Sequence, residues 1–483
     1  MGKKLKNSLM QLMVYIREGL VVLNDMEIDE KIDLLQQMQE AVIYIGNTIE
    51  STQENFEEMI ACLTEFAERI YELSINIVAI EKVIEDCDAL MEMLRVGIKV
   101  KYEVLFLPYK SSMWDSLESI YQVARLDSAC HVTVMPIPYY SVSADREHLE
   151  ENYEGNDFPR DVDIVDYREY SIEEKMPDVI FIHNPYDDTN RVTQVKPCFF
   201  SSELVKYTDR LIYVPYKVCS GKVKDVYCVL PGVKNAWRVF VQSEEVKRVY
   251  ARYQPEEKII VTGSPKIDKV IANAQNKPQV PVEWKKALNG KKVFLLNTHL
   301  NSLINHPIEM LEKLNSLLML FKDRTDVALL WRPHPLSIQT IKAENPDILV
   351  PYREIVEKCK WLENAVYDET TDPHLAIAIA DAYIGDWSSM VSMFGVTNKP
   401  IYIQSYEQEQ ISLDEEAFYR ARRLKSIYYQ QILSLEGYIE VVCGDKDVRK
   451  ELRKEEFEKI FYKLDGQSGK TIWSYVKKDL GEA

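Results

Sequence analysis

The first 97 residues place apolar side chains three and four positions apart, as at Ile70, Leu73, Ile77, Ile80 and Ile84. That is the spacing of one buried helical face. No proline falls in this stretch, and glycine occurs only at positions 2, 19, 46 and 97. A helical hairpin or short bundle is expected, packing within the chain or against a second copy of it. The period changes at Lys101. From there short apolar runs of strand length alternate with helical stretches, the pattern of a parallel sheet covered by helices. Strands are expected at Val104–Leu107, His131–Ile137, Val179–His183, Leu211–Val214, Val239–Gln242 and Ile259–Thr262, with helices including Met113–Arg125 and Glu244–Tyr253. Asn276–Pro281 reads as a linker. A second series follows, with strands at Val293–Asn297, Val327–Trp331, Ala365–Tyr367, Ala382–Gly385 and Ile401–Ile403. Its helices are expected at Pro307–Lys322, Pro373–Asp381 and Ser389–Phe394.

The expected architecture is α/β. A helical region (1–99) precedes two tandem Rossmann-like domains (100–275 and 282–409), and charged helices (410–483) close the chain. Two open parallel sheets in tandem leave a cleft between them, and ligands of such sheets bind beyond the carboxyl ends of the strands. Residues that do chemistry should therefore follow strands, and several polar constellations do.

Arg332 and His334 follow the strand at 327–331, and each precedes a proline. Proline holds the residue before it extended, so the two side chains are expected on one side of the chain, where they would clamp a phosphate. A rigid, solvated turn is the plainer reading. Asp386, Ser388 and Ser389 follow the strand at 382–385. A helix starting at Ser388 or Ser389 would offer free N–H groups and two hydroxyls to a phosphate, although a simple N-cap needs only one serine. Asp386 would orient a cation or a hydroxyl. Thr298 stands at the end of the strand at 293–297 as a further phosphate donor. Asp372 and Pro373 read as a helix start, with His374 beside them as a further candidate. In the first half His183, at a strand end, is a candidate base for an attacking hydroxyl, with Asp187 or Asp188 to orient it. Gly263 and Ser264, in a turn after the strand at 259–262, complete the set.

Composition narrows the function. The net charge is −18, and such a chain repels nucleic-acid phosphates, so no nucleic-acid partner is expected. Residues 1–97 contribute 8 Lys/Arg and 19 Asp/Glu to that imbalance. The eight cysteines form no CxxC pair, so neither a zinc site nor a disulfide framework is expected. The apolar stretch near the start is broken by Gln11, Arg17 and Glu18; no secretory signal is expected. The expected setting is the cytoplasm, or the inner face of its membrane. GxGxxG, Walker A, HExxH and GxSxG motifs are absent from the sequence, which argues against simple dehydrogenases, P-loop NTPases and α/β-hydrolases.

Taken in order, the His183 loop, Thr262-Gly263-Ser264-Pro265-Lys266-Ile267-Asp268, the strand ending at Thr298, Arg332-Pro333-His334-Pro335 and Ile384-Gly385-Asp386-Trp387-Ser388-Ser389 resemble the CDP-glycerol glycerophosphotransferase family over about residues 180–405. Lys399-Pro400-Ile401 follows as in that family. The resemblance implies a GT-B-like fold, no cofactor and no required metal. It implies transfer of glycerol phosphate, or a related polyol phosphate, from CDP-glycerol or a similar nucleotide donor to a glycan or polyol-phosphate hydroxyl, with release of CMP. His183 would be the base, and Arg332, His334, Ser388 and Ser389 the donor-phosphate site. Three features depart from the family: Asn184-Pro185 stands where glycine usually follows the histidine, Lys266 stands where arginine is usual, and the helical N-terminus is acidic rather than basic. A nucleotide-sugar glycosyltransferase or epimerase of the same fold stays open beside this reading. So does a non-catalytic scaffold that assembles partners, or a homo-oligomer, through residues 1–97.

Overall fold

A computed structural model describes residues 2–482 apart from 24–25, 52–55, 76–77, 143–148, 191, 220–222, 277, 405–426 and 431–432. Ile77 and the start of the expected C-terminal helices lie outside the described residues. Residues 3–97 form a four-helix bundle of α1 (Lys3–Val22), α2 (Ile28–Glu50), α3 (Glu57–Ser74) and α4 (Ile80–Gly97). Its stripe residues, among them Met13, Leu20, Ile45, Leu63, Ile70, Val83 and Leu94, make a core of their own. The bundle leads directly into the first sheet. Lys6 Nζ donates to the carbonyls of Arg95 (2.6 Å) and Ile98 (2.7 Å).

The strands are β1 (Tyr102–Leu107), β2 (Cys130–Val134), β3 (Tyr139–Val142), β4 (Leu149–Asn152), β5 (Val179–Ile182), β6 (Thr193–Val195), β7 (Leu211–Tyr213), β8 (Arg238–Val241) and β9 (Ile259–Val261), then β10 (Lys292–Thr298), β11 (Val327–Pro333), β12 (Ala365–Tyr367), β13 (Ala382–Gly385) and β14 (Ile401–Ile403). Two parallel sheets result, in the orders β2-β1-β5-β7-β8-β9 and β12-β11-β10-β13-β14. Every expected strand is present within a few residues. β2 stops short of Ile137 because Pro136 and Pro138 cannot donate to the ladder. The small antiparallel sheet β4-β3-β6 was not anticipated, since its strands are only three or four residues long and carry little apolar pattern.

Both sheets are buried on both faces, as parallel sheets are. Along β10 and β11, Phe294, Leu296, Leu329 and Trp331 enter one core cluster, while Val293, Leu295, Ala328 and Leu330 enter another. The period-2 alternation thus feeds two layers of helices. Helix Pro265–Asn276 continues from β9, yet buries Ile267 and Val270 against the second sheet. The last helix, Ser468–Glu482, returns to the first sheet and buries Ile472, Trp473, Val476 and Leu480 there. Arg210 Nε holds Asp479 at 2.6 Å, and Tyr102 Oη donates to the Leu480 carbonyl at 2.8 Å. Among the described residues no helix is long and apolar enough to cross a membrane.

Strand order fixes where ligands are to be sought. The direction of winding reverses between β1 and β5 in the first sheet, and between β10 and β13 in the second. The crevice at such a switch point is where open α/β sheets bind ligands.

Candidate functional site

At the second switch point β10 and β13 approach closely. A Cβ on Gly385 would lie 2.2 Å from the Asn297 carbonyl oxygen, so only glycine fits there. Asn297 then ties three strand ends together. Its Oδ1 accepts from Ser388 Oγ (3.0 Å) and Tyr383 Oη (3.2 Å), and its Nδ2 donates to the Arg332 carbonyl (3.2 Å). Ser388 caps helix Ser389–Gly395 by accepting from Met390 N at 3.2 Å. The Ser389 side chain is exposed at the helix start.

Two histidines complete this edge. His299 Nδ1 accepts from Asn301 N (3.3 Å), and His334 Nδ1 accepts from Leu336 N (3.1 Å). A ring nitrogen that accepts leaves the proton of the neutral imidazole on the other, so each presents an Nε2–H donor. The ring centroids are 5.8 Å apart. Burial, with His299 as neighbour, holds His334 below the ordinary histidine range. The edge therefore offers two fixed ring donors beside a hydroxyl and a helix N-terminus. His299 follows Thr298 directly, and its place at a strand end is the signal that would have found it.

Three other candidates are turned away from this edge. Arg332 was expected beside His334 but points toward β12. Its guanidinium donates to Asp368 (2.6 Å), Thr370 Oγ1 (3.1 Å) and the carbonyls of Thr370 (2.7 Å) and Thr371 (3.1 Å). The same-side argument fails because β11 ends at Pro333, and side-chain alternation ends with it. Thr298 is buried, and its Oγ1 accepts from Trp331 Nε1 at 3.3 Å. The Asp386 carboxylate is engaged within the protein. Its Oδ2 accepts from His299 N (2.9 Å) and its Oδ1 from Lys313 Nζ (3.2 Å). It orients a cation, one of the two uses expected of it, and braces the His299 turn. Burial lowers the Lys313 ammonium, against the pull of Asp386.

At the first switch point His183 is fully enclosed. Tyr109 N donates to its Nε2 at 3.1 Å, while Nδ1 faces Ser116 Oγ (3.0 Å) and the Met113 carbonyl (3.2 Å). Its proton is thus on Nδ1, and the Nε2 lone pair that a base would use is occupied. Burial pushes it down to about 4, so it is neutral. Asp187 does not orient it. That carboxylate is spent on Ser201 N (3.0 Å) and Ser201 Oγ (2.6 Å), and burial raises it despite those bonds. His183 instead fastens the loop 109–116 that follows β1. The Asn184-Pro185 departure forms a closed turn, in which Asn184 Oδ1 accepts from Tyr186 N (3.0 Å) and the Pro185 carbonyl accepts from Gly232 N (2.9 Å).

The loop that His183 fastens carries Asp115 to the seam between the sheets. Asp115 Oδ2 meets Lys266 Nζ at 2.9 Å and His374 Nε2 at 2.9 Å. Burial works to raise this carboxyl, but Lys266 and His374 together hold it below the ordinary range. His374 is buried, and its Nδ1 has no hydrogen-bond partner among the described residues. The Thr262–Asp268 motif serves the same seam. Gly263 has φ +88°, and a Cβ there would strike Ser468 Oγ at 2.5 Å. Asp268 accepts from Ser468 N (3.0 Å) and Gly469 N (2.8 Å). Asp115 carries no strand-end signal in the sequence, because it stands inside a run expected to be helix, where the chain forms a 3-10 turn, Ser111–Ser116.

A cavity of about 370 Å³ lies at the carboxyl ends of β7, β8 and β9, lined by Tyr186, Tyr216, Lys217, Tyr227, Gln242, Gly263 and Ser264 among others, with Trp387 entering from the second half. Gly263 and Ser264 thus wall a cavity.

A family model described as CDP-glycerol:poly(glycerophosphate) glycerophosphotransferase matches residues 233–478. The match takes in the motif at 262–268 and the whole second sheet; His183 lies outside it. Among solved structures, a variant of the wall teichoic acid polymerase TagF aligns with TM-score 0.50 and 13% identity, over 88% of this chain and 98% of that one. A UDP-N-acetylglucosamine 2-epimerase aligns with TM-score 0.50 and 12% identity, over 79% of this chain and 97% of that one. At these identities the likeness is one of fold, the two-domain GT-B arrangement. No curated protein matches the chain.

Proposed function

Because the chain belongs to the CDP-glycerol:poly(glycerophosphate) glycerophosphotransferase family, we propose that it transfers glycerol phosphate from CDP-glycerol to a hydroxyl at the end of a polyol-phosphate or glycan acceptor. The acceptor oxygen attacks the glycerol-bearing phosphorus, the P–O–P bond breaks, and CMP leaves with the bonding electrons. Such a reaction asks for positioning and for fixed donors where phosphate charge builds. The observation that carries the reading is the row of His334, His299, Ser388 and Ser389 at the adjacent ends of β11, β10 and β13. Asp386 and Asn297 pre-set that row at its turns.

The attacking hydroxyl must also lose its proton. The resemblance gives this role to His183, which requires Tyr109 N–H to turn away from Nε2. His374 supports a second reading, since Asp115 fixes the proton on its Nε2 and leaves the buried Nδ1 without a partner among the described residues, the tautomer of a carboxylate-oriented base; that role requires the covered Nδ1 to become accessible to the acceptor.

CMP release from CDP-glycerol, with a short glycerol phosphate oligomer as acceptor, tests both points. CDP-glycerol is expected to be consumed and UDP-N-acetylglucosamine left intact. His299→Ala and His334→Ala should each raise KM for CDP-glycerol about tenfold. The base is the histidine, His183 or His374, whose change to Asn lowers kcat about 100-fold or more at unchanged KM for CDP-glycerol. No CMP from CDP-glycerol with any acceptor would sink the reading and favour a scaffold.

A further inference from the structure

The cavity beside the seam is chemically unlike the rest of the protein. The chain carries a net charge of −18, yet among the described residues lining this cavity there are two lysines, Lys217 and Lys224, and no carboxylate. Against that net charge, a cavity with lysines and no carboxylate in its lining favours an anionic ligand. Its volume of about 370 Å³ falls within the range of small-ligand sites, about 300–1,000 Å³.

The lysine is held in place. Lys217 Nζ lies 3.0 Å from the Tyr186 hydroxyl, and 5.6, 5.7 and 4.9 Å from the ring centroids of Tyr186, Tyr216 and Tyr227. Three rings fix the position of the ammonium without neutralising it. No salt bridge to Lys217 occurs among the described residues, and the side chain is solvent-exposed at the cavity mouth. A fixed, uncompensated cation beside tyrosine hydroxyls and aromatic faces suits a phosphate with a polyol attached. The ammonium takes the anionic oxygens, the hydroxyls take the polyol, and the rings take its C–H faces.

Position supplies the second argument. On one side Tyr216 stands 6.1 Å, centroid to centroid, from His183. On the other, Trp387 lies in the chain between Asp386 and Ser388 and also lines the cavity. The cavity thus opens between the first-sheet switch point and the edge assigned to donor phosphate. We propose that it is the acceptor subsite, and that Lys217 reads the last phosphodiester of a polyol-phosphate chain so that the terminal hydroxyl reaches toward the donor. The inference rests on the proposed transfer for the word acceptor, but not for the existence of an anion site.

The test uses the full chain and a synthetic glycerol phosphate trimer, first by calorimetric titration without any nucleotide. The trimer is expected to bind, Lys217→Gln to weaken it about tenfold or more, Lys217→Arg to restore most of it, and His334→Ala to leave it unchanged. In CMP-release assays Lys217→Gln should raise KM for the trimer by a similar factor and leave KM for CDP-glycerol where it was. No binding of the trimer to the unaltered protein, or equal binding by Lys217→Gln, overturns the subsite. A shift in KM for CDP-glycerol instead assigns the cavity to the donor and also overturns it. Trimer binding that depends on Lys217, with CDP-glycerol never consumed, leaves the anion site standing and overturns the transfer reading alone.

Discussion

Burying Arg332 beside Asp368 takes two charges out of water, and the cost is offset only because the guanidinium also satisfies Thr370 Oγ1 and two carbonyls. Asp368 is 2% exposed, so removing the arginine strands a buried carboxylate. Arg332→Ala is expected to destabilise the protein by about 3–5 kcal/mol, read as a lowered urea midpoint. A loss under about 1 kcal/mol, with KM for CDP-glycerol raised, would return the guanidinium to the phosphate edge. The same scale explains the split between His334 and Arg332. Both stand before a proline, but only one has a carboxylate waiting on the neighbouring strand end, and that carboxylate is 36 residues away in sequence.

At the scale of elements, the Thr262–Asp268 motif acts as a clasp. Gly263 opens space for the 462–468 segment, and Asp268 accepts from the first two amides of helix Ser468–Glu482 while also taking Ser119 Oγ at 2.9 Å. Asp268→Ala should cost about 1–2 kcal/mol, the worth of a good helix cap. It should speed amide hydrogen exchange over 468–482 well before it does so over β10–β14. Uniform acceleration across both sheets would show that the clasp does not act locally. The helix itself was legible as part of a charged, helical tail. Its return to the first sheet was not, because Ile472 and Val476 would bury equally well against either sheet.

Across the whole molecule, Asp115 is a point where the two halves meet in charge. His183 fastens its loop, Lys266 comes from the helix between the sheets, and His374 comes from the second half. Asp115→Ala leaves Lys266 and His374 facing each other without a carboxylate. The expected result is a larger radius of gyration in small-angle scattering and slower turnover, with the circular dichroism spectrum unchanged. An unaltered radius with full turnover would reduce this network to local packing. The acidic bundle at 3–97 has its own core and joins the rest through the short run from Ile98 to Lys101, so its role belongs to this scale as well.

The strands, the bundle and the polar positions after each strand followed from the sequence, because the period of apolar residues is a local property and each sheet face buries what that period offers. The Ser388 cap and the Gly263 turn were legible for the same reason: a cap or a tight turn needs particular residues in one short stretch. Which polar side chain faces the cleft was decided only by tertiary structure. Arg332 found Asp368, Asp187 found Ser201, Thr298 found Trp331, and His183 found the loop after β1, each in a partner distant in sequence. A buried polar group goes to whichever partner satisfies it, and local spacing carries no record of that partner.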